Sequence, residues 1–478
     1  MRGLIVLSFA VLLTGCMVGP DYVRPVVDVP PAFRYEDKEA RETVNAEWWK
    51  QFHDPVLDGL ITEALANNRN IKIAAANFEQ AAGVLMQARS PLFPQIGYSS
   101  SGTKQRATEE GATPLPDSVP NPQTSYQVLS SASWEIDLWG RIRRLSESAR
   151  AELFASEEAW RGVILSLVAS VASDYIQMLG LDEQLLISKR SLATYAESVR
   201  LFELQFKYGQ VSQMNVEQAR TQYETAAAAI PQIESQIAQT ENALSILLGR
   251  NPGTIPRGKP VHELMLPPVP AGLPSDLLAN RPDIRQAEQN LIAANAQIGA
   301  ARALYFPTIS LTGVFGFASS DLSNLFKGPS RTWSYAGSFA GPIFTGAAIS
   351  GQVKQAEAGR EAALFNYGLA IQNAFADVEN ALVAHSKLIE QLKAQVRLVK
   401  AGSEYERLAR LQYDGGYSPY STVLQAEQQL FPSELNYAQY RASLFISLVN
   451  IYKAMGGGWI AEAEKLTTQK DNDQGRKK

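Results

Sequence analysis

The residues from Gly140 to Phe206 decide the fold, and they read GRIRRLSESARAELFASEEAWRGVILSLVASVASDYIQMLGLDEQLLISKRSLATYAESVRLFELQF. This stretch contains no proline, and after Gly140 its only glycines are Gly162 and Gly180. In its second half, apolar or small residues recur in alternating steps of four and three, the spacing of a coiled-coil seam. The members of this seam are Leu181, Leu185, Ser188, Leu192, Tyr195, Val199, Phe202 and Phe206. A helix of roughly 65 residues would be about 100 Å long, so the pattern predicts a rod and not a compact globule.

The chain divides into two repeats. Arg89-Ser-Pro-Leu-Phe-Pro94 returns in the second half as Arg302-Ala-Leu-Tyr-Phe-Pro307. Gly209 returns as Gly416, and Leu248-Gly249 returns as Met455-Gly456 at the same offset along the chain. Two points of one long hairpin thus keep one offset, which indicates a tandem duplication.

The predicted domains follow from this repeat and from the N-terminal sequence Leu13-Thr-Gly-Cys16, which resembles the cleavage site of a bacterial lipoprotein. Residues 1–15 form a signal peptide, 16–57 a lipidated N-terminal segment, 58–250 the first repeat, 251–275 a proline-rich linker, 276–457 the second repeat and 458–478 a polar C-terminal tail.

Each repeat is predicted to run helix, strand, strand, very long helix, helix. In the first repeat these elements span Asp58–Arg89, Gln95–Thr103, Thr124–Trp134, Gly140–Phe206 and Ser212–Leu248, and Gly249 follows as a helix C-cap. In the second repeat the long helix spans Ser350–Leu411. The two shorter helices of the first repeat together match the length of its long helix, so stacked end to end they can flank it along its whole length.

The predicted strands carry apolar residues on one side and small polar residues on the other. Ile309, Leu311, Phe315 and Phe317 alternate with Thr308, Ser310 and Thr312, and Trp333, Tyr335, Phe339 and Ile343 alternate with Ser334, Ala336, Ser338 and Ala340. Such runs are typical of membrane-spanning barrel strands, although a half-buried soluble sheet gives the same pattern. The aromatic residues Trp134, Trp139, Trp333 and Tyr335 are expected at strand ends, where aromatic girdles lie.

No segment after the signal peptide offers about 18 continuous apolar residues, so a membrane crossing is expected to use strands. Four strands cannot close a barrel in lipid, so several chains are expected to join, as a dimer or a larger oligomer.

The N-terminus resembles that of a bacterial lipoprotein. Arg2 and the apolar run Leu4–Leu13 have the features of a signal peptide, and the run ends in Leu13-Thr-Gly-Cys16, which resembles a lipobox. In that family the chain is cut before the cysteine, which is then lipidated, so Cys16 is the predicted lipidation site. Met17, in place of an aspartate, favours sorting to the outer membrane. The alternative is an ordinary signal sequence with an incidental cysteine.

Composition argues against several other classes of function. The 478 residues carry a net charge of −4 and no basic domain or arm, so no nucleic-acid partner is expected. The arginines Arg141, Arg143 and Arg144 are expected to form a solvated helix start or an interfacial girdle. No nucleophile motif, phosphate loop or metalloprotease signature is present, so we expect no enzyme and no cofactor. The three histidines are scattered, which leaves no ligand set for a metal, and His385 on a helical seam is expected to tune packing.

Five segments in order resemble the TolC-like outer-membrane factors, in the lipidated efflux branch of NodT/OprM-like outer-membrane lipoproteins. They are Cys16-Met-Val-Gly-Pro-Asp-Tyr-Val-Arg-Pro25, Glu47-Trp-Trp-Lys-Gln-Phe52, Trp134-Glu-Ile-Asp-Leu-Trp-Gly-Arg141, Asn280-Arg-Pro-Asp-Ile-Arg285 and Gly341-Pro-Ile-Phe344. The resemblance covers the mature chain up to about Gly458. It implies a trimeric outer-membrane β-barrel with four strands per chain, continued by a long periplasmic α-helical barrel of coiled-coil hairpins.

The resemblance also implies partners. It implies a homotrimer among outer-membrane lipids that docks onto a periplasmic adaptor protein and an inner-membrane transporter. The function expected is a passive duct in a tripartite, RND-type efflux system for drugs or other small solutes. Two alternatives stay open, which are the duct of a type I protein secretion system and a lipid-anchored coiled-coil scaffold without a pore.

In such a duct the informative positions are the hairpin tips Phe206–Gln213 and Tyr413–Tyr420. The residues expected to dock the adaptor are Gly209, Val211, Ser212, Gly416 and Ser418. Plain helix–turn–helix connections are the alternative.

The family often closes the periplasmic end with charged residues near these tips. Some members carry aspartates at positions that match Thr422 and Gln425, which are uncharged here. The nearest candidates for the constriction are Leu411 and Asp414, with Arg407 and Arg410 as tethers. A solvated charged surface is the alternative for these residues.

Overall fold

The computed structural model describes residues 17–27, 29–30, 32–34, 47–108, 110, 116, 119–267, 269 and 274–457. The predicted signal peptide, Cys16 and the C-terminal tail lie outside the described residues.

The described chain is built from eight α-helices and four strands. The first half contains α1 Pro55–Asn67, α2 Arg69–Arg89, β1 Gln95–Gln105, β2 Gln123–Ile136, α3 Arg141–Lys207 and α4 Gln213–Leu247. The second half contains α5 Pro274–Asn280, α6 Pro282–Ala303, β3 Thr308–Ser319, β4 Arg331–Ala340, α7 Ala348–Asp414 and α8 Ser421–Ala454. The two very long helices predicted from the sequence are confirmed, and each has 67 residues.

The prediction of a single helix from Asp58 to Arg89 is wrong, because the chain breaks at Asn68, between α1 and α2. The backbone of Asn68 leaves the helical region, with ψ at 133°. Its Oδ1 accepts hydrogen bonds from the backbone N–H groups of Asn70 at 2.8 Å and Ile71 at 3.2 Å, so it caps the start of α2. The cap replaces intrahelical hydrogen bonds that the break removes.

The second repeat breaks at the equivalent place. Arg281 lies between α5 and α6, 213 residues after Asn68. The same spacing of 213 residues separates Arg302 from Arg89 in the repeated segment. The amide of Asn68 donates to the carbonyl of Leu247 at 2.8 Å, and the guanidinium of Arg281 donates to the carbonyl of Ala454 at 3.0 Å. Leu247 and Ala454 are the last residues of α4 and α8, so the duplication extends to the contacts that cap these helices.

The helix ends at Gly249 and Gly456 also match. Both glycines have left-handed backbones, with φ at +74° and +85°. A Cβ added to Gly249 would collide with the carbonyl of Asn67, and one added to Gly456 would lie 2.9 Å from the carbonyl of Asn280. Glycine is therefore needed at both positions for its φ and for the close approach of another backbone. The predicted helix end at Gly249 is confirmed, with Leu248 as the C-cap residue and Gly249 as the left-handed residue after it.

The chain forms two compact units. The first comprises Asn77–Ser156 and Gln286–Tyr367 together with the N-terminal residues up to Val26. The second comprises Val27–Ala76, Glu157–Arg285 and the chain from Gly368 onward.

The first unit contains one antiparallel sheet in the order β1-β2-β3-β4. Its register places Tyr98, Ser130, Phe315 and Trp333 in one row across the four strands. Because partners in a row share a face, the predicted apolar residues collect on one face of the sheet. Large members of this face are exposed, namely Ile96, Tyr98, Leu311, Phe315, Trp333, Tyr335 and Phe339. The predicted alternation is therefore confirmed.

Two details of the strand prediction are wrong. Ile343 lies outside β4, which ends at Ala340 because Pro342 lacks the N–H group that a ladder needs. Tyr335 lies in the middle of β4 and not at its end, and its ring stacks on that of Trp333 at 5.6 Å.

The arginines at the start of α3 are each paired within the first unit, so they differ from the predicted solvated helix start, and the alternative of an interfacial girdle stays a prediction. Arg141 donates to both carboxylate oxygens of Glu135 at 2.9 Å, and Arg143 contacts Asp137. The side chain of Arg144 is only 1% exposed.

Arg144 holds the N-terminal residues against the helices. Its guanidinium donates to the carbonyls of Val18 at 3.2 Å and Gly19 at 3.3 Å, and to the Asp21 carboxylate at 2.8 Å. Gly19 crosses Gly299 of α6 so closely that a Cβ on either residue would collide with backbone. This segment has no regular secondary structure, so its position depends on these long-range contacts.

Among the described helices, α3 alone is long and apolar enough to cross a membrane. However, 61% of its most apolar window is buried inside the protein, as in the core helix of a globular protein.

Candidate functional site: two matched hairpin turns

The predicted tips lie in the second unit, where α3 turns into α4 and α7 turns into α8. We call Phe206–Gln213 the first turn and Tyr413–Tyr420 the second turn. Gly209 and Gly416 have φ values of +72° and +73°. In each turn the N–H of the glycine donates a hydrogen bond to the carbonyl three residues earlier. The N–H of the next residue donates to the carbonyl five residues before it, and all four distances are 2.8–2.9 Å. The two turns therefore share one hydrogen-bond pattern, which closes the last carbonyls of the long helices.

Both glycines are required by conformation and not by crowding. A Cβ built on Gly209 or Gly416 has no atom within 4 Å among the described residues. The left-handed backbone alone therefore penalises other side chains at these positions. Both positions are exposed, so the turns present their backbone to solvent.

The remaining predicted docking residues occupy different environments. Val211 packs against the apolar cluster beneath the turns. Ser212 is exposed, and its hydroxyl donates to Oδ1 of Asn215 at 2.7 Å. The Ser418 hydroxyl is buried and has no hydrogen-bond partner among the described residues.

Three large side chains beside the turns are exposed, and none of them was among the predicted docking residues. Tyr208 is 70% exposed, Met214 is 65% exposed and Tyr417 is 89% exposed. The sequence does contain a feature that indicates two of them, because a tyrosine lies next to each turn glycine: Tyr208 before Gly209 and Tyr417 after Gly416. They surround the exposed backbone with apolar surface, which is typical of contact sites for other proteins.

Aromatic residues hold the two hairpins together beneath the turns. The ring of Tyr420 packs on that of Phe202 at 4.1 Å and edge-on against Tyr413 at 5.0 Å. The Tyr420 hydroxyl hydrogen-bonds to Oγ of Ser198 at 2.8 Å, and Gln205 donates to the Tyr413 hydroxyl at 3.2 Å. Burial raises the pKa of Tyr420 to about 12, so its hydroxyl keeps its proton.

The four predicted gate residues lie in the last two turns of α7 and differ in their contacts, and their role in a gate stays a prediction. Leu411 is 59% exposed and Asp414 is exposed. Arg407 makes a local, exposed ion pair with Glu404 at 2.7 Å. Arg410 instead contacts Glu406 at 2.9 Å and reaches across to Glu427 on α8 at 2.7 Å.

Glu427 is the charged residue that the sequence analysis missed. It is 3% exposed, and burial raises its pKa to about 7, although the charge of Arg410 opposes the shift. A signal was present, because Leu424, Glu427 and Phe431 follow the steps of three and four of a helical seam.

The described residues contain no group of three or more His, Cys, Asp or Glu side chains that could hold a metal ion. His385, on its helical seam, is 5% exposed and hydrogen-bonds through Nδ1 to Oγ of Ser447 at 2.8 Å.

Comparison with known proteins agrees with this architecture. The model of the family "Outer membrane efflux protein" matches residues 60–250 and 273–457. The chain is 39% identical over 461 residues to the solvent efflux pump outer membrane protein SrpC of Pseudomonas putida, covering 94% of this chain and 97% of that one. It is 36% identical to the cation efflux system protein CusC of Escherichia coli O6:H1 strain CFT073, with 94% and 97% covered.

A solved structure shows the same fold. The CmeC outer membrane channel of Campylobacter jejuni superposes with a TM-score of 0.87 at 27% identity, covering 94% of this chain and 98% of that one. The sequence match and the shared fold lead to one conclusion: the chain belongs to the outer membrane efflux protein family, whose TolC-like channels form the outer-membrane part of efflux pumps.

Proposed function

We propose that three copies of this chain join their sheets into one twelve-stranded barrel and their helices into one hollow periplasmic barrel. The observation that carries this proposal is the sheet of the first unit. β1 and β4 are its edges, and its apolar face is exposed. In lipid an open edge leaves backbone N–H and C=O groups without partners, at a cost of several kcal/mol each. Pairing β4 of one copy with β1 of the next removes every edge.

The assembled channel is a passive duct in a tripartite pump, and its turns meet a periplasmic adaptor that links it to an inner-membrane transporter. The matched geometry of the two turns, their exposed backbone and their exposed Tyr208, Met214 and Tyr417 side chains support this role. Similar chains are named for solvent and cation efflux. These names favour small solutes over secreted proteins as the cargo.

The N-terminal segment carries a lipid anchor on Cys16. The lipobox-like sequence supports this part of the proposal, as do the contacts of Arg144 and Gly299 that hold residues 18–21 against the first unit. The anchor adds membrane affinity, while the strands span the bilayer.

Disulfide cross-linking between edge strands tests the barrel. Ser99→Cys on β1 is combined in turn with Ser334→Cys, Ala336→Cys or Ser338→Cys on β4, since these positions share the small-residue face. The native sequence has one cysteine, Cys16, so each single-cysteine variant is a control for background products.

At least one pair is expected to give a covalent trimer after oxidation. A matched pair with the cysteine on β2, Ser131→Cys with Ser334→Cys, should give no product between chains, because β2 is already paired on both sides. If every edge pair stays monomeric and native mass spectrometry in several mild detergents finds only single chains, the closed barrel is wrong.

A further inference from the structure

The two hairpins carry an ion pair at the same two positions with the charges exchanged. In the first hairpin Glu203 on α3 meets Arg220 on α4 at 2.9 Å. In the second hairpin, at both equivalent positions of the repeat, Arg410 on α7 meets Glu427 on α8 at 2.7 Å. Each pair lies between the long helix and the returning helix, about two turns from the tip.

Each guanidinium also contacts a second carboxylate. Arg220 contacts Glu217 at 3.3 Å, and Arg410 contacts Glu406 at 2.9 Å. Both clusters therefore contain one cation and two carboxyl groups. With all groups ionised, each cluster has a net charge of −1.

The clusters differ in their exposure to water. The two arginines are similarly exposed, at 46% for Arg220 and 40% for Arg410, but the side chain of Glu203 is 52% exposed and that of Glu427 is 3% exposed. One carboxylate oxygen of Glu427 accepts from Arg410, and its Oε2 has no hydrogen-bond partner in the described part of the chain. Water solvates the charge of Glu203 in the first cluster, but a negative charge on the buried Glu427 carboxyl group is costly.

The charged and titratable groups around Glu427 lie on three helices, α3, α7 and α8. Arg410 stabilises its charge, but Glu406 on the same helix α7 opposes it. Tyr195 on α3, whose hydroxyl lies 3.4 Å from the Glu427 carbonyl, and Tyr420 on α8 both keep their protons, because burial raises their pKa values. With Glu427 neutral, the cluster of Glu406, Arg410 and Glu427 has no net charge. Burial accordingly raises the pKa of Glu427 to about 7.

We propose that Glu427 and Arg410 form a proton-operated latch. Neutral Glu427 holds α8 against α7, and ionised Glu427 loosens the second hairpin. The exposed pair of Glu203 and Arg220 leaves the first hairpin insensitive to pH. The sign follows from linkage, because a group that binds its proton more tightly in the closed hairpin favours opening as the pH rises. The consequence for docking rests on the proposed function of the turns. The latch itself is a property of the isolated channel protein.

Hydrogen exchange measured by mass spectrometry on the detergent-solubilised protein tests the latch. The peptides of interest cover residues 408–424 in the second hairpin and 201–217 in the first, which serves as an internal reference at each pH. Opening that exposes Glu427 to water should lower the protection of 408–424 by about tenfold between pH 6 and pH 8, relative to 201–217.

Three variants are compared with the wild type in the same hydrogen-exchange measurement. Glu427→Gln is a neutral isostere and should keep 408–424 protected at both pH values. Arg410→Gln removes the opposing cation and should lower protection at pH 8 below that of the wild type. Glu203→Gln, the matched change in the first hairpin, should alter neither the protection of 201–217 nor its pH dependence.

The latch is overturned if both hairpins of the wild type respond equally to pH, if Glu427→Gln keeps the wild-type response, or if protection of 408–424 falls in acid. No adaptor is present in this measurement, so its failure would leave the docking proposal standing. Likewise, a failure of docking would leave the latch standing.

Discussion

The side-chain amide of Asn68 donates a 2.8 Å hydrogen bond to the carbonyl of Leu247, 179 residues further along the chain. One side chain thus ends α4 and starts α2, because its Oδ1 also accepts from Asn70 and Ile71. Arg281 makes the corresponding contact with Ala454 in the second repeat. In both repeats, therefore, the residue at a helix break also caps the end of another helix.

Replacing Asn68 by alanine should destabilise the second unit, because it removes the cap of α2 and leaves the part-buried carbonyl of Leu247 without its donor. The loss of the cap costs about 1 kcal/mol and the unsatisfied carbonyl about 1–3 kcal/mol. Thermal unfolding followed by circular dichroism would measure the change. Asn70→Ala is the control, since that side chain is exposed on the same turn. Equal stability of the two variants would show that the dual cap contributes nothing.

Arg144→Gln should release the N-terminal residues from the first unit while the sheet stays intact. The change removes the ion pair with Asp21 and weakens the hold on the carbonyls of Val18 and Gly19. Limited proteolysis with mass spectrometry should therefore find faster cleavage before residue 30. Arg141→Gln is the matched control, because the described contacts of the Arg141 guanidinium are with Glu135 on β2. Identical cleavage in both variants would contradict the role assigned to Arg144.

The stability of the protein should depend on the ionisation of Glu427. Burial raises its pKa from 4.5 to about 7, so its contribution to stability is complete below pH 4.5 and is lost as the pH rises through 7. Between pH 5 and pH 8, the free energy of unfolding of the neutral variant Glu427→Gln should rise relative to that of the wild type, by up to roughly 3 kcal/mol per chain. Urea unfolding at both pH values would measure this gain, with Glu203→Gln as the exposed control. A variant that instead loses stability relative to the wild type at pH 8 would mean that the ion pair with Arg410 outweighs burial.

Gly416→Val and Gly416→Asn separate the conformation of the second turn from its surface. The φ of +73° costs valine more than a kcal/mol, whereas asparagine adopts this region readily, and a Cβ at this position has no atom within 4 Å among the described residues beyond its chain neighbours. We expect Gly416→Val to keep its membrane level and oligomer but to lose export and cross-linking to the adaptor. Gly416→Asn should retain both. Wild-type export by the valine variant would reduce the turn to a connector, and equal loss in both variants would point to crowding at the docking surface.

Cys16→Ser should abolish incorporation of radioactive palmitate yet leave an oligomer in the outer membrane, because strands and not acyl chains span the bilayer. Labelling of cells followed by membrane fractionation would measure both. If the serine variant incorporates as much label as the wild type, Cys16 is not the lipidation site.

The sequence by itself determined the long helices, the faces of the strands, the repeat and the positions of the turn glycines. These features are local or periodic. A seam in steps of three and four needs only its own helix, and alternation such as that of Ile309 to Phe317 needs only its own strand. Gly209 and Gly416 were identifiable because a helix end favours glycine wherever φ becomes positive.

Only the tertiary structure decided which polar side chains are buried and what they contact. The break at Asn68 depends on Leu247, and the burial of Arg144 depends on Val18, 126 residues earlier. The contrast between Glu203 and Glu427 is the clearest case. Both carboxylates pair with an arginine on the other helix of their hairpin, but the packing around α8 removes water from one and leaves the other exposed. Solvation of a charge depends on every element that surrounds it, so no pattern along one helix could decide which carboxylate would bind a proton near neutral pH.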